Sequence, residues 1–513
     1  MPTSKIVLAT NANKRRRAAC ARFAAALFLV WAQSVLAVPS DALANQLRNH
    51  PSPYLALHGR DPVAWQEWGP EVVVRAQREN KLIYLSIGYF SCHWCHVMQR
   101  ESYRNRGIAQ FLNTHFIPVK IDRELEPALD ARMLEFAQDT RGMAGWPLNV
   151  LLTPAGAPVF ASLYSPPDEF RQIIARVQRL WRDDAARVLA LSSEGRNARA
   201  QGPGAPALEP LIARDLTARF ASASLAQADT VQGGFGAQSK FPNVPQLSLL
   251  LDLVAEERAP SAAREFLLLT LESMANYGLR DHLGGGFFRY TVDPAWTTPH
   301  FEKMLYDNAQ LASLYLRAAR VLARPDFAQV ARETVDFMLR ELWDANGAFI
   351  ASLSAVDARN VEGGYYLWPL DELRARLTTR ELAAYRAAWH MQDAPPFDDG
   401  YLPIRGASTD EIAHAQRVSA AEVAALLQSA QAKLRAARAQ RSVPRDGKLL
   451  AAWNGLALSA LADGVRAGYE QYRQPAQRVR NYLATQLWNG SELRRALANG
   501  RALGEAGLED YAY

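Results

Sequence analysis

Hydrophobic positions divide this chain into two unlike halves. In the first, residues 82–87, 116–121, 148–152 and 158–163 are short, nearly continuous apolar runs of strand length. Residues 71–80, 105–113 and 127–139 read as helices between them, with Leu129, Met133 and Phe136 at helical spacing. Residues 168–189 form a longer amphipathic stretch, for which Asp168 is the expected cap. From residue 82 onward the expected order is β-α-β-α-β-β-α. Residues 192–207 are rich in Ser, Gly, Ala and Pro and read as a linker.

Beyond them the apolar period is helical. Residues 247–257, 262–278, 304–322, 327–342, 419–440, 449–469 and 476–487 alternate with Gly-aromatic loops such as Gly284-Gly-Gly-Phe-Phe288 and Gly363-Gly-Tyr-Tyr366. A repeated helix pair with a Gly turn predicts an all-α (α/α) toroid, with an open helical repeat as the nearest alternative. The expected division is a leader over 1–44, an α/β domain over 45–191, the linker over 192–207 and the toroid over 208–513. A chain of 513 residues is long enough for at least two such cores.

The chemistry gathers where the first strand gives way to a helix. Cys92-His-Trp-Cys95 follows the run at 82–87, and a C-x-x-C at a strand-to-helix turn suits dithiol exchange. The helix N-terminus favours a thiolate on Cys92, with Cys95 resolving. His93 and His96 would add positive charge when protonated, and Cys92 is expected to be the more exposed thiol. The same residues admit covalent haem through C-x-x-C-H, a zinc site, or an inert pair of thiols. The redox context leads us to assign no metal and no cofactor. This order of elements, with the dithiol after its first strand, is a thioredoxin-like arrangement. Such a fold places a cis proline beside the dithiol, and Pro147 in Gly145-Trp-Pro147 is the candidate. Trp94, Trp146 and Pro147 are therefore assigned to the substrate surface.

Charge narrows the partners. The formal charge is +6, but residues 1–44 hold six of the 58 basic residues and one of the 52 acidic ones. The chain beyond residue 44 is nearly neutral, and nothing predicts nucleic-acid binding. Lys14-Arg-Arg-Arg17, an apolar stretch over 18–31 and the small residues around Ala37 and Ala44 form a secretory leader. Export, periplasmic or secreted, is expected, with no stable membrane insertion once the leader is removed. Cys20 would leave with the leader, so Cys92 and Cys95 would be the only cysteines retained.

Several stretches resemble the spermatogenesis-associated protein family: SPYLALHGRDPVAWQEWG, LSIGYFSCHWCHVM, VKIDRE, GWPLNVLLTP and YSPP in the first half. The second half continues the resemblance with GGFGAQSKFP, DHLGGGFFRYTVDPAWTTPHFEKMLYDNAQL, EGGYYLW, DGKLLAAWNGLALSAL and LEDYAY. The resemblance implies a thioredoxin-like domain fused to a six-hairpin glycosidase-like or epimerase-like barrel. On the resemblance the final helices of the barrel are missing, so that either the sequence is a fragment or the ring is open. The densest polar group of this half is Asp281, His282, Arg289, Tyr290, Asp293, Trp296, His300, Glu302, Lys303, Tyr306 and Asp307, with Trp453 at the same mouth. Paired carboxylates would serve glycoside hydrolysis and a His282–His300 pair epimerisation; alternatively these groups satisfy one another around the Gly turns. His282, His300, Glu302 and Asp307 are the candidate sugar contacts. The sequence admits three functions: a thiol-disulfide oxidoreductase or redox-responsive protein acting on a protein thiol or disulfide, a carbohydrate-binding or carbohydrate-processing barrel acting on a small sugar, or a non-enzymatic scaffold whose dithiol is structural.

Overall fold

In the first half, β1 (Leu82–Gly88), β2 (Phe116–Asp122), β3 (Leu148–Leu152) and β4 (Pro158–Ser162) form one sheet in the order β2-β1-β3-β4. The computed structural model describes residues 43–190, 212–391 and 393–513. Most of the expected leader, Cys20 included, and the whole expected linker lie outside these residues. Strand β1 runs parallel to β2, with Leu82 opposite Phe116, and antiparallel to β3, with Ile87 opposite Leu148. Helices α1 (Pro70–Glu79), α2 (His93–Met98), α3 (Arg106–His115), α4 (Pro127–Arg141) and α5 (Pro167–Asp183) complete the α/β half.

Every residue of β1, β2 and β3 is buried, which is why these strands read as continuous apolar runs. Polar exceptions are paired: Lys120 donates to Ser86 Oγ at 2.9 Å and lies 4.7 Å from the Tyr103 ring centre. Burial pushes this ammonium down to about 7. Helix α5 begins one residue before the expected cap. Pro167 occupies its first turn, and Asp168 sits inside that turn without capping it. Proline at this position comes with its φ already set for a helix and lacks only an N–H the helix would leave unpaired.

The second half is built of packed helices. Leu305–Val321 packs against Pro325–Phe337, Ala451–Arg466 and Val244–Ala255. The Gly turns between helices are set by close approach. Gly286 has φ 73°, and a Cβ there would lie 2.3 Å from Phe337 Cδ1, so only glycine admits both the backbone and the ring. The fold class is a thioredoxin-like α/β domain followed by an α/α toroid.

Residues 45–513 form one compact unit, and the two halves share core. Met304 of the helical half joins the cluster holding Tyr84, Cys92, Cys95 and Met98. Leu125 packs with Ala351, Leu450 and Ala496. A buried polar contact also joins them. Lys448 Nζ lies 2.8 Å from Asp122 Oδ2, 2.6 Å from Asp446 Oδ2 and 2.9 Å from Glu124 Oε2, with all four side chains at 1% exposure or less. Ser52 Oγ donates to the same Asp122 oxygen at 2.7 Å.

Candidate functional site

The site grows from the end of β1. Cys92 is the N-cap of α2, and its sulfur accepts the Cys95 amide at 3.1 Å. Cys92 and Cys95 are joined by a disulfide. At Gly88 an added Cβ would lie 2.3 Å from the Tyr54 hydroxyl and 2.8 Å from Cys95 Sγ. The missing side chain therefore lets a tyrosine hydroxyl and the second sulfur converge. That hydroxyl is buried and has no hydrogen-bond partner among the described residues.

Two expectations about the dithiol need correction. Cys92 is not an open thiol: its residue exposure is 2%, against 1% for Cys95. The cause lies in the helical half, which covers the loop before α2. Ser91 Oγ contacts Met304 Sδ at 3.1 Å, the Ala355 amide donates to the Ser91 carbonyl at 3.3 Å, and the Tyr89 hydroxyl donates to Glu302 Oε2 at 2.8 Å. Nor do the flanking histidines supply positive charge at neutral pH. Burial pushes His96 down to about 4, with its Nε2 2.7 Å from the Phe90 carbonyl. Burial also lowers His93, outweighing the Glu362 carboxylate beside it.

The Trp146–Pro147 bond is cis, as expected for the residue entering β3. Trp146 Nε1 donates to Asp130 Oδ1 at 2.8 Å, and its ring lies 5.8 Å from that of Tyr89 and 4.0 Å from the Arg123 guanidinium. Trp94, 41% exposed, packs on Tyr164 with centroids 4.9 Å apart. Of the predicted substrate surface, Trp94 is the open member.

From the helical half, Arg289 reaches the same place. It lies 3.4 Å from Glu302 Oε2, and its guanidinium carbon is 4.8 Å from the Tyr89 ring, 5.4 Å from Trp146 and 5.9 Å from Tyr306. Asp307 is pushed up to about 7 by burial, against the pull of Arg289. The Trp453 and Tyr306 rings lie 4.7 Å apart, tilted by 55°, and the two border a cavity of about 330 Å³ with Arg123, Asp130 and Arg495.

His300 is held at Nδ1 by Glu362 Oε1, 2.6 Å away, while Glu362 Oε2 lies 3.4 Å from His93 Nε2. The His93 and His300 rings are 6.0 Å apart. The expected His282–His300 pair is not formed. His282 lies against Trp389, with Nε2 3.1 Å from the Tyr277 carbonyl, and burial pushes it down to about 3. The two histidines share none of these neighbours, because the loop between them carries their side chains to different packing partners. Asp281 binds Lys303 and Arg438 at 2.7 and 2.6 Å, and Asp293 caps its own turn through the Thr297 and Thr298 amides. Much of the predicted polar group thus satisfies itself.

Sequence reasoning did not single out Glu362, Tyr54, Tyr89 or Lys448. Glu362 does open the motif EGGYYLW, and Tyr54 lies in SPYL. Among the described residues, no group of three or more His, Cys, Asp or Glu side chains is arranged to hold a metal ion, and no helix is long and apolar enough to cross a membrane.

Residues 44–198 match the thioredoxin-like DsbH family, described as a protein of unknown function, DUF255. Spermatogenesis-associated protein 20 of Homo sapiens is 34% identical over 463 residues, covering 82% of this chain and 58% of its own length. The Mus musculus protein of the same name is 33% identical, covering 87% and 61%. An uncharacterized protein of Caenorhabditis elegans is 30% identical, covering 89% and 67%. The chain therefore spans about three fifths of the two mammalian relatives. Among solved structures, a DsbH oxidoreductase aligns with 23% of this chain and 85% of its own, at 16% identity and TM-score 0.20. A cellobiose 2-epimerase from Spirochaeta thermophila aligns with 59% and 92%, at 16% identity and TM-score 0.24. On its identity to these relatives over most of its length, the chain belongs to the spermatogenesis-associated protein 20 family.

Proposed function

We propose that this protein is a thiol-disulfide oxidoreductase working through Cys92 and Cys95. The observation that carries the reading is the bonded pair at the start of α2, with the Cys95 amide on Cys92 Sγ at 3.1 Å, in a thioredoxin-like sheet. An amide donor at that sulfur stabilises a thiolate there, lowering its pKa and making it both an attacking and a leaving group. Because His93 and His96 are neutral, that backbone donor is the local source of stabilisation.

The cycle conserves atoms and electrons. A substrate thiolate attacks Cys92 Sγ, the Cys92–Cys95 bond breaks, and Cys95 leaves and takes a proton. A second substrate thiolate then attacks the substrate sulfur of the mixed disulfide. Cys92 leaves as thiolate, and the substrate departs as a disulfide. Two electrons have passed to the protein's dithiol, and the reverse sequence reduces a disulfide. Since Cys92 is 2% exposed, the reaction requires a substrate slim enough to reach it or an opening of the helical cover.

Replacement of Cys95 tests this directly. Cys95→Ser is expected to accumulate mixed disulfides on Cys92 when offered a model disulfide, and Cys92→Ser to accumulate none. Failure of Cys95→Ser to form any adduct while the wild type turns over no disulfide contradicts the reading. We also propose export, on the basic, apolar and small-residue leader pattern. Mass spectrometry of protein from its own host is expected to show a chain starting at Val38 or Asn45. An intact chain starting at Met1 contradicts export.

A further inference from the structure

We infer that Tyr54 is a working part of the dithiol: when the Cys92–Cys95 bond opens, its hydroxyl donates a hydrogen bond to the sulfur of Cys95. This rests on the oxidoreductase reading and deepens it, giving the second sulfur the donor that its reduced form requires.

The contact is set by the geometry around Gly88, the last residue of β1. Apart from its own chain neighbours, the three atoms nearest to a Cβ placed there would be the Tyr54 hydroxyl oxygen at 2.3 Å, Cys95 Sγ at 2.8 Å and the Tyr54 ring carbon bearing that oxygen at 3.0 Å. Oxygen and sulfur thus border one point, and no third residue comes nearer to it. A water at that point would stand 2.3 Å from the hydroxyl, closer than a hydrogen bond allows, so the gap belongs to these two atoms. Tyr54 is 1% exposed, and its hydroxyl is buried without a partner among the described residues, a costly state for a donor. Its position is firmly built. Ser52 caps the short helix Pro53–Leu57 that carries Tyr54 and donates to Asp122 at 2.7 Å. Asp122 is the β2 residue paired with Gly88, so one register fixes both the hydroxyl and the opening it enters. The His58 ring meets the Tyr54 ring edge-on at 5.1 Å, and Lys120 Nζ lies 5.3 Å from its centre.

The chemistry of the cycle supplies the need. When a substrate thiolate attacks Cys92 Sγ, the electron pair of the broken bond settles on Cys95 Sγ, in a residue 1% exposed. The amide donor at the pair serves Cys92, not Cys95. The His96 ring is neutral, with its Nε2 engaged at the Phe90 carbonyl. Burial among apolar groups disfavours a thiolate at Cys95, and a hydrogen bond to the charged form offsets that cost. In the bonded pair Cys95 Sγ is a weak acceptor. Opening the bond frees it from Cys92 and strengthens it as an acceptor, with the Tyr54 hydroxyl beside it. Burial holds that hydroxyl well above the ordinary tyrosine range, so Tyr54 gives a hydrogen bond and not its proton. The contact favours the reduced pair over the bonded one and raises the reduction potential.

The test is the redox equilibrium of the full chain with glutathione, compared between wild type and Tyr54→Phe, which keeps the ring and removes the oxygen. The variant is expected to hold its disulfide about tenfold more tightly, a fall of about 30 mV in potential. Tyr103→Phe is the control. It deletes a buried hydroxyl that bonds Tyr84, Ser86 and Asn149 instead, and it is expected to leave the potential in place. An unmoved potential in Tyr54→Phe, or an equal fall in both variants, overturns the inference. Wild type alone gives a second measurement. Its reduced-minus-oxidised infrared difference spectrum should carry a tyrosine C–O–H band from the hydroxyl that gains a partner. Absence of that band overturns the inference even where Tyr54→Phe fails to fold. If wild type exchanges no model disulfide while the Tyr54-dependent shift persists, the oxidoreductase reading fails and this contact stands. If wild type exchanges disulfides and the potential is unmoved in Tyr54→Phe, the contact fails alone.

Discussion

Two of the polar contacts that join the α/β half to the helical half are built on opposite terms. At Lys448 one ammonium meets three carboxylates, all at 1% exposure or less. Burial drives Glu124 upward, while the carboxylates outweigh burial at Lys448 and hold its ammonium well above the ordinary lysine range. Its charge is locked. At His93–Glu362–His300 the side chains are 12–28% exposed, and the two histidines are displaced in opposite directions. The first contact is sealed from water, whereas the second is partly open to it and sets one carboxylate between two rings. Both join the halves, one out of water and the other partly in it.

The sharpest way to break the comparison is at Lys448. Lys448→Met leaves buried carboxylates without their cation and is expected to cost about 3–5 kcal/mol, read as a lower midpoint in urea unfolding of the whole chain. Acid should act next most strongly, through His58. This ring is 1% exposed, 2.7 Å from Asp61, and pushed down by burial to about 4 from an unfolded value of 6.5. Below 6.5 the unfolded chain takes up a proton that the folded chain refuses. Stability is therefore full above 6.5 and falls as pH drops towards 4, by roughly 3 kcal/mol for this group. His96, also lowered to about 4, adds a loss of the same sign. The melting temperature should fall steadily across that window, and a flat profile would count against neutral buried rings.

Smaller effects separate the dithiol from its surroundings. Gly88→Ala would bring a methyl within 2.8 Å of Cys95 Sγ and 2.3 Å of the Tyr54 hydroxyl. About 1–3 kcal/mol of destabilisation is expected from such overpacking, measured by urea unfolding. Glu362→Gln should cost least, within about 1 kcal/mol, as partly exposed ion pairs do. It is the reverse of Lys448→Met, the smallest effect on stability against the largest.

The legible parts of the sequence were those that local pattern controls. Strands β1 to β3 fall where unbroken apolar runs place them, since a strand covered on both faces leaves that trace, and β4 falls on its run although four of its five residues are half-buried. The cis bond at Pro147 was legible from its place before β3. What the chain hides is which surfaces meet. The exposure expected for Cys92 fails because Met304 and Ala355, more than two hundred residues away, cover its loop. The expected charge on His93 and His96 fails for the same reason, burial that a local reading does not register. His282 and His300 look like a pair because both stand in one polar stretch, yet each takes its partners from separate distant segments, Trp389 for one and Glu362 for the other. Glu362 itself looked like one more acidic residue before a Gly turn; only the docked halves reveal what it joins.

The reduction potential of Cys92–Cys95 in the full chain tests the central claim most directly. Equilibration against glutathione and dithiothreitol buffers, followed by alkylation of free thiols, gives the value. A working dithiol predicts a midpoint between about −120 and −270 mV, the span of dithiol oxidoreductases. A midpoint below about −300 mV would mark the bond as a structural disulfide and contradict the account.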